Sequence, residues 1–316
     1  MSRRALLLIG LLAVLVRVGF QVELHTDGGA VQSLGEHLIG DERAYDAFAR
    51  ASAAGDLERE RAFYQEPVYA WLLGRLYSVW PPEALGDVPS VVAHSAVHRA
   101  VILAQHGLGV LLTLLVASLG ARALNARAGA LAGVFAAVSG PAVFHEAMLL
   151  KASLSLVVLV ALLHLWLDLL QGSSRTKAAL AGVALGFGIL LRGNLYLLLG
   201  LVVASLVLPL GTTTRRPVHA ALVLVGALLA MLPATVHNLS RPIPDPVLTT
   251  YQSGSNAGLG QPDVDDPRRG VIYEPLRAGR GDAWWEETDA VALAEADAGT
   301  RLTGAEVSRW WWQEVR

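Results

Sequence analysis

Two adjacent acids, Asp41 and Glu42, are the first residues along this chain whose types and spacing could support chemistry. A carboxylate placed beside a hydroxyl group can take its proton as a general base, and carboxylate oxygens also bind divalent metal ions. Adjacent acids are equally typical of the first turn of a helix, because the helix dipole favours negative charge there. The spacing alone leaves catalysis, metal binding and a helix start open for this pair.

A third acid, Glu66, directly precedes Pro67 and could contact an acceptor or a metal ion. Pro67 also fits the first position of a helix. His94 and His98 are four residues apart, a spacing that places two metal ligands on one helix face. The sequence around them offers no third ligand, so the favoured interpretation is a pair of histidines at an interface. A divalent metal at Asp41 and Glu66 stays an open alternative, and no other cofactor is predicted.

Four further ionisable residues stand near the ends of long apolar runs: Arg99, Glu146, Lys151 and Arg192. Charges next to hydrocarbon are costly and usually face a cavity or a partner of opposite sign. Glu146 and Lys151 are close enough in sequence to pair. The three cations suit a phosphate group, which arginine binds bidentately and lysine binds as a point charge. Arg99 and Arg192 could instead extend to the lipid headgroups with no role in binding.

The composition of the chain indicates a membrane protein. Of its 316 residues, 53% are hydrophobic and only 16% are charged, and the mean hydropathy is +0.46. Soluble domains carry about 25% charged residues. The absence of cysteine excludes disulfides, thiolate metal sites and a cysteine nucleophile. A net charge of -2 does not favour a nucleic-acid partner, so we expect the lipid bilayer as partner and no nucleic acid.

Seven apolar runs are near the length that crosses a bilayer, about 17–25 residues. They predict an all-α polytopic membrane protein of about seven transmembrane helices, with spans near residues 5–22, 97–119, 126–144, 149–170, 178–191, 195–210 and 218–236. Residues 1–238 would form the transmembrane core, with residues 23–96 as a helical first loop, and residues 239–316 would form a C-terminal segment of mixed structure. The apolar start could also be a signal peptide, but no small-x-small cleavage site follows it, so a retained first span is favoured.

Basic residues orient the predicted spans. Pairs of them fall on alternate loops, and the positive-inside rule makes that side of the membrane cytoplasmic. The pairs are Arg3/Arg4, Arg122/Arg127, Arg175/Lys177 and Arg215/Arg216. The N-terminus is then cytoplasmic, and the two long segments, 23–96 and 239–316, are extracytoplasmic. The candidate residues described above all fall at this outer side.

Six short motifs occur in order along the chain. They are the acidic Gly40–Tyr45, the aromatic-acid-proline stretch Phe63–Leu73, the segment Arg99–Gln105, the turn Leu190–Asn194, the span exit Pro233–Asn238 and the loop Gly254–Gln261. In this order they resemble the GT-C superfamily of membrane glycosyltransferases, in the bacterial family 39 type that includes protein O-mannosyltransferases and aminoarabinose transferases. Gln261 departs from the family pattern, in which asparagine is usual. Members normally continue past a segment like Leu302–Val315 into further spans, so we expect a shortened or C-terminally truncated member.

The resemblance implies a hexosyl- or pentosyltransferase that moves a sugar from a polyprenyl-phosphate-linked donor to an extracytoplasmic lipid, glycan or protein. It implies a location in a bacterial inner membrane. Asp41 would be the general base that deprotonates the acceptor hydroxyl. The implied substrate contacts are Glu42, Tyr45, Glu66, Arg99, Glu146, Lys151, Arg192 and Asn256. The cations among them would stabilise the negative charge on the departing lipid phosphate.

A transporter or flippase-like protein for an anionic or lipid-linked substrate is the alternative from another functional class. The same ionisable groups could line a pathway through the membrane. Transporters commonly contain inverted repeats and spans broken near the middle of the membrane. Here the ionisable residues stand at the outer ends of the apolar runs, and two long outer segments are present. These features favour the enzyme.

Overall fold

Apolar helices make up most of the structure, a computed structural model that describes residues 1–26, 37–38, 40–55, 60–83, 92–172, 174–208, 216–259 and 286–314. The helices are α1 (Arg3–Leu24), α2 (Asp41–Ala54), α3 (Val68–Tyr77), α4 (Ala96–Ala123), α5 (Ala126–Ala137), α6 (Gly140–Glu146), α7 (Ala152–Leu170), α8 (Arg175–Leu191), α9 (Leu195–Val207), α10 (Pro217–Leu239), α11 (Ser253–Leu259), α12 (Glu286–Ala298) and α13 (Gly304–Glu314). A two-residue antiparallel ladder joins β1 (His37–Leu38) to β2 (Val92–Ala93). Apart from this ladder, the described part of the chain is helical, as the sequence predicts.

Polar N-cap residues set where several apolar runs become helical. The side chains of Ser2, Asn125 and Ser174 each accept a hydrogen bond from a backbone N–H in the first turn that follows. Such caps satisfy amide groups that have no partner inside the helix. At the other end of α2, Gly55 adopts the left-handed conformation with φ of 74°, which glycine permits without steric cost. Each predicted span corresponds to one helix, except that residues 126–144 correspond to two helices, α5 and α6.

In the described part of the chain, four helices are long and apolar enough to cross a membrane: α1, α4, α7 and α10. The consecutive helices α5 and α6 would make a fifth span, but they are bent by 51° at the break between them. Helices α8 and α9 contain 17 and 13 residues. At about 1.5 Å per residue, both are shorter than a hydrocarbon core of about 30 Å. The structure supports a multi-pass membrane protein with four to five candidate spans, and the predicted count of about seven is not confirmed.

Glycines allow two helix pairs to pack with their backbones close together. A Cβ atom on Gly182 of α8 would lie 2.3 Å from the carbonyl oxygen of Val223 in α10, and one on Gly226 would lie 2.6 Å from that of Ala179. Gly129 of α5 likewise allows close packing on α4, because a Cβ atom there would lie 2.4 Å from the carbonyl oxygen of Ala117. Small residues are the usual means of close helix packing in membranes, where hydrophobic burial alone gives no preference for helix over lipid.

The helix ends form two faces of different chemistry. At one of them, the basic face, Arg122 and Lys177 both donate hydrogen bonds to Asp168, and Arg216 donates to the carbonyl of Leu169. These contacts join the end of α4, the end of α7 and the starts of α8 and α10. The opposite ends of the same helices form the loop face, which carries α2, α3 and the segments after α10. The basic loops after α4, before α8 and before α10 thus share one face, as the sequence predicts.

One hydrophobic core links the loop face to the membrane-type helices. Buried Tyr45, Phe63 and Tyr77 belong to the same cluster as Leu185 and Leu191 of α8. A second, smaller cluster contains Tyr64, Tyr251, Ala290 and Val307, and it joins α12 and α13 to the segment that precedes α3. The loop segments are therefore positioned by packing on the helix bundle.

Candidate functional site

Residues 60–67 bring Glu66 to the start of α7, where Lys151 is the N-cap residue. The Lys151 ammonium donates to Glu66 Oε2, and the backbone N–H of Gly193 donates to Glu66 Oε1 with an N···O distance of 2.7 Å. The side chains of Lys151 and Glu66 are 19% and 13% exposed. Burial alone would raise the pKa of Glu66, but the Lys151 charge and the Gly193 amide outweigh it and hold the pKa below its ordinary value of 4.5.

Tyr45 of α2 lies beside this ion pair. The Lys151 ammonium is 5.8 Å from the centroid of the Tyr45 ring, within the range of a cation–π interaction. Tyr69 packs edge-on against the same ring, with the centroids 5.2 Å apart. Burial raises the pKa of Tyr45 to about 12, although the nearby ammonium opposes this effect. The phenol therefore keeps its proton at neutral pH and can donate a hydrogen bond to an oxygen of a ligand.

The acidic pair at the start of α2 divides between two environments. Both acids stand in the first turn, the position that the helix-start interpretation predicts. Asp41 is exposed, and its negative charge raises the pKa of Tyr45 and of Glu286. Glu42 is 1% exposed, and its Oε1 accepts the backbone N–H of Leu149. Glu42 therefore holds the link between α6 and α7, whereas Asp41 is open to solvent.

The predicted pairing of Glu146 with Lys151 is wrong. Glu146 ends α6, and 2% of its side chain is exposed. Its carboxylate accepts hydrogen bonds from Arg17 Nη2 and Nε, with N···O distances of 2.6 and 2.7 Å. His106 Nδ1 lies 2.9 Å from the same carboxylate. Because the chain turns between α6 and α7, it leaves Glu146 among the helices and carries Lys151 to the loop face. Arg17 was missed, although an isolated charge within an apolar run is a signal that could have identified it.

The other predicted contacts are exposed. Arg99, Arg192 and Asn256 lie on the surface, and none of their side chains forms a hydrogen bond or ion pair within the described ranges. Arg192 caps the end of α8, directly before the Gly193 amide that contacts Glu66. Of the three predicted cations, Lys151 takes part in the buried pair, and the two arginines are left on the surface of the same face.

A buried network around Asp46 was not found from the sequence. Asp46 accepts hydrogen bonds from Arg50 Nε at 2.7 Å, the Tyr77 hydroxyl at 2.9 Å and His98 Nε2 at 3.0 Å. His98 Nδ1 accepts the backbone N–H of Ser95, so both ring nitrogens are occupied and the ring caps α4. Burial would raise the pKa of Asp46, but the bonds from His98 and Arg50 outweigh it and hold the pKa below the ordinary value of 3.8. His98 is therefore structural and not a metal ligand here.

The residues after α10 hold the loop that carries Glu66. Asn238 is fully buried, and its Oδ1 accepts the backbone N–H of Phe63 over 3.0 Å. Its amide nitrogen donates to the carbonyls of Val247 and Thr249 over 3.0 and 2.9 Å. One side chain at the end of α10 thus joins two separate stretches of backbone, at Phe63 and at Val247–Thr249. Asn238 closes the span-exit motif noted in the sequence, but the motif alone did not reveal this role.

Glu286 of α12 adds a carboxyl group that the sequence analysis missed. Its Oε1 accepts hydrogen bonds from the Tyr64 hydroxyl at 2.6 Å and from Gln252 Nε2 at 2.9 Å. Burial raises the pKa of Glu286, and the charges of Asp41 and Glu287 add to this effect, although the two hydrogen bonds oppose it. α12 contains several acids, and nothing in the sequence distinguishes this one from the others.

An open apolar groove of about 370 Å³ borders the site between α3 and α4. Leu72, Leu76 and Trp80 line one wall, and Leu108 lies on the other. At its polar end, the Tyr69 hydroxyl donates to Gln105 Oε1 over 2.7 Å. The groove thus follows the apolar helices and ends beside the tyrosine that contacts Tyr45.

Within the described ranges, no group of three or more His, Cys, Asp or Glu side chains is placed to hold a metal ion. Glu66, one of the two metal ligands considered from the sequence, is engaged by Lys151 and the Gly193 amide. Comparison of the chain with protein-family models, with curated proteins and with solved structures found no match. Any functional conclusion therefore depends on the motifs and on the geometry of this site.

Proposed function

We propose that the chain is a membrane glycosyltransferase of GT-C type, which transfers a sugar from a polyprenyl-phosphate-linked donor to an extracytoplasmic acceptor. The observation that carries the proposal is the grouping of Lys151, Glu66 and Tyr45 at one end of an apolar bundle, with Asp41 one turn before Tyr45 on α2. A cation, a protonated hydroxyl and an exposed carboxylate at a membrane surface are the groups that such a transfer needs.

In the proposed reaction, the acceptor hydroxyl attacks the anomeric carbon as the bond from that carbon to the phosphate oxygen breaks. The transition state has oxocarbenium character, and the lipid phosphate leaves with the bonding electrons. Asp41 takes the proton of the acceptor hydroxyl. Lys151 stabilises the negative charge on the departing phosphate, since a fixed cation at that point is more effective than water.

The partly buried ion pair prepares Lys151 for this role. Glu66 and the Gly193 amide hold the ammonium near Tyr45 in the absence of substrate, so little reorganisation is needed when a phosphate binds. Tyr45 can donate to a phosphate or sugar oxygen. Arg99 and Arg192 are exposed at the same face and would close on the donor phosphate, where a guanidinium gives bidentate contacts. Asn256 would contact the sugar or the acceptor.

The proposal includes seven spans in a bacterial inner membrane, with the N-terminus in the cytoplasm. The long helices α1, α4, α7 and α10 would supply four spans, the bent pair α5–α6 one, and the shorter α8 and α9 one each. The grouping of Arg122, Lys177 and Arg216 on the basic face supports this orientation through the positive-inside rule. The groove between α3 and α4 would hold part of the donor's lipid chain.

Asp41→Asn tests the proposed base. We expect transfer, measured as release of polyprenyl phosphate by the purified protein in nanodiscs, to fall by about 10²–10⁴-fold because asparagine keeps the size and loses the basicity. Glu83→Gln is the matched control, because Glu83 is an exposed acid of the same outer segment. Near-normal turnover by Asp41→Asn would leave Asp41 with the helix-start role alone.

A transporter is the second candidate, and the buried cluster of Arg17, His106 and Glu146 favours it. Ionisable groups inside a helix bundle commonly mark a pathway for ions or substrates. In proteoliposomes, movement of a fluorescent lipid-linked sugar between leaflets, without release of the lipid phosphate, would support the transporter and contradict the transferase.

A further inference from the structure

Three helices bring ionisable side chains together inside the bundle. Arg17 of α1, His106 of α4 and Glu146 of α6 are 3%, 6% and 2% exposed. The remaining donor of the guanidinium, Nη1, donates to the carbonyl oxygens of Ala13 and Ala137 over 3.0 and 3.4 Å. A Cβ atom on Gly109 would lie 2.0 Å from Glu146 Oε1, so the glycine makes room for the carboxylate against α4. Arg17 thus forms four hydrogen bonds inside the bundle, two of them to Glu146.

The partners of His106 indicate where its ring carries hydrogen. An ionised carboxylate only accepts hydrogen bonds, so the Nδ1 atom that faces Glu146 must carry a hydrogen. The other nitrogen, Nε2, lies 2.7 Å from Nε2 of Gln21. With the Gln21 amide in this orientation, the amide donates and the ring nitrogen accepts. The ring is then neutral, and the three groups together carry no net charge.

Gln21 is the side chain that could serve either state of the ring. A carboxamide presents a donor on one side and an acceptor on the other, so a rotation of the amide exchanges them. If His106 Nε2 gains a hydrogen, the rotated Gln21 can accept it through Oε1, and every hydrogen bond of the cluster is kept. The Glu146 carboxylate is then flanked by two cations, the Arg17 guanidinium and the His106 imidazolium.

We propose that Arg17, His106 and Glu146, together with Gln21, form a binding site for one proton inside the helix bundle. An ion pair that served only to join α1 to α6 would be complete without the histidine and the glutamine. The charged groups that face the ring are Glu146 from α6 and, through it, Arg17 from α1. α5 contributes only the Ala137 carbonyl to the cluster.

An exposed histidine lies on the same face of α1 as the proposed site. Arg17, Gln21 and His25 are spaced four residues apart, which aligns them on the helix. His25 is exposed at the C-terminal end of α1, and its Nδ1 lies 2.8 Å from the carbonyl oxygen of Gln21. The side of the cluster that holds Gln21 is therefore the side nearest the loop face.

A short link couples the proton site to the candidate functional site. Glu146 belongs to the proton site, the Leu149 amide donates to Glu42, and Lys151 forms the ion pair with Glu66. Gln105, next to His106 on α4, also donates to the carbonyls of Glu146 and Met148 over 2.9 and 2.6 Å. We therefore expect that binding of a proton shifts the position of Lys151.

The test measures the protonation of the His106 ring by nuclear magnetic resonance. It uses the full chain in lipid nanodiscs, with its histidines labelled with ¹⁵N. His106→Asn identifies the His106 resonances among the 9 histidines. The spectra are compared between pH 8 and pH 5, and we expect the ring, with hydrogen on Nδ1 at the start, to gain a second hydrogen on Nε2 as the pH is lowered. A His106 ring that stays neutral across this range would overturn the proposal. The measurement uses no sugar donor, so it is independent of the proposed transferase activity.

Variants separate a proton site from a structural ion pair. Glu146→Gln should make the second protonation of His106 require a lower pH, because the anion that favours the charged ring is lost. That variant leaves a buried arginine unpaired and could fail to fold, so Gln21→Leu provides a milder test. It removes the acceptor for the Nε2 hydrogen and should also lower the midpoint of this protonation. An unchanged midpoint in Gln21→Leu would contradict the proposal.

Two further measurements complete the test. His145→Asn is the matched control, because His145 adjoins Glu146 but is exposed and contacts the Pro141 carbonyl instead; the His106 midpoint should not move. Lys151 and Lys177 are the two lysines of the chain, so amine labelling read by mass spectrometry gives a ratio between them. In the native protein, the ratio should change over the pH range in which His106 gains its second hydrogen. In His106→Asn, the ratio should not change over that range. If His106 gains its second hydrogen and the labelling ratio does not change, the coupling to Lys151 is overturned.

Discussion

At the scale of single residues, the decisive feature is which charges pair. Lys151 pairs with Glu66, 85 positions away, and Arg17 with Glu146, 129 positions away. The sequence identified Glu66, Glu146 and Lys151 as candidates, because charges beside apolar runs need partners. It could not identify the partners themselves, since these depend on how distant helices pack. Nearness in the sequence led to the wrong pair.

Lys151→Ala should destabilise the fold by about 1–3 kcal/mol, less than for a fully buried pair because both side chains are partly exposed. The main cost of this change is that the Glu66 carboxylate, which is 13% exposed, no longer has a cation beside it. The double variant Lys151→Ala/Glu66→Gln should recover part of the loss. A thermal-unfolding cycle over the four proteins measures this coupling. Strict additivity of the two single changes would show that the pair contributes no interaction energy.

Acid should destabilise the fold through Glu66 and Asp46. The pKa of each is lower in the folded chain than its ordinary value, 4.5 and 3.8, so the unfolded chain binds more protons in this range. Their contribution is present above those values and is lost as the pH falls through the folded pKa. We expect the melting temperature to fall below about pH 4.5, and the fall to be smaller in Glu66→Gln. If the melting temperature of that variant falls with acid as much as that of the native chain, the role of Glu66 is contradicted.

Glu286 should act with the opposite sign. Its folded pKa is raised by burial, so its contribution to stability is present below its unfolded pKa and is lost as the pH rises through the folded value. Glu286→Gln keeps an acceptor for Tyr64 and cannot ionise. We therefore expect this variant to be at least as stable as the native chain at neutral pH and less stable relative to it near pH 4. A clear loss at neutral pH would show that the charged form is favourable.

At the scale of elements, apolar runs predicted where the helices lie, but not how each one ends or breaks. The length of the apolar run predicts one span and does not give the 51° bend between α5 and α6, although Ser139, Gly140 and Pro141 mark the break in the sequence. Nor could it foresee that Asn238 at the end of α10 would hold residues 60–67. The candidate site depends on both features, since the bend directs Glu146 inward and Asn238 anchors the loop that carries Glu66.

Asn238→Leu should therefore release the loop that carries Glu66. The change leaves the Phe63 amide and the carbonyls of Val247 and Thr249 without their partner, at about 1–3 kcal/mol for each group that stays buried. We expect a lower melting temperature and faster tryptic cleavage after Arg61, followed by mass spectrometry. Ser240→Ala is the control, because Ser240 is exposed and bonds locally to the His237 carbonyl. Equal cleavage rates in the two variants would contradict the anchoring role.

At the scale of the whole molecule, composition was the most informative property of the sequence. It predicted a multi-pass membrane protein, and the structure contains helices that fit. The number of spans was not accessible in the same way, because α8 and α9 are apolar but short. Orientation depends on charge, and the basic face brings together three of the residues that the charge pattern placed on one side, Arg122, Lys177 and Arg216.

The absence of cysteine makes the orientation directly testable. Ser78→Cys places a thiol at an exposed position on the loop face, and Thr176→Cys places one on the basic face. In intact cells, a membrane-impermeant maleimide should label Ser78→Cys, and it should label Thr176→Cys only after the membrane is opened. The reverse pattern would invert the proposed topology and put Asp41 in the cytoplasm.

The distance along the chain between Arg17 and Glu146 also matters while the protein is being made. α1 leaves the ribosome 129 residues before the carboxylate that neutralises its arginine. An arginine at the centre of a nascent span raises the free energy of insertion by about 2.5–3.5 kcal/mol. We therefore expect α1 to stay close to the translocon, held shallow or shielded, until α6 has been synthesised. Integration of the first helix would then be completed late, by the arrival of the sixth.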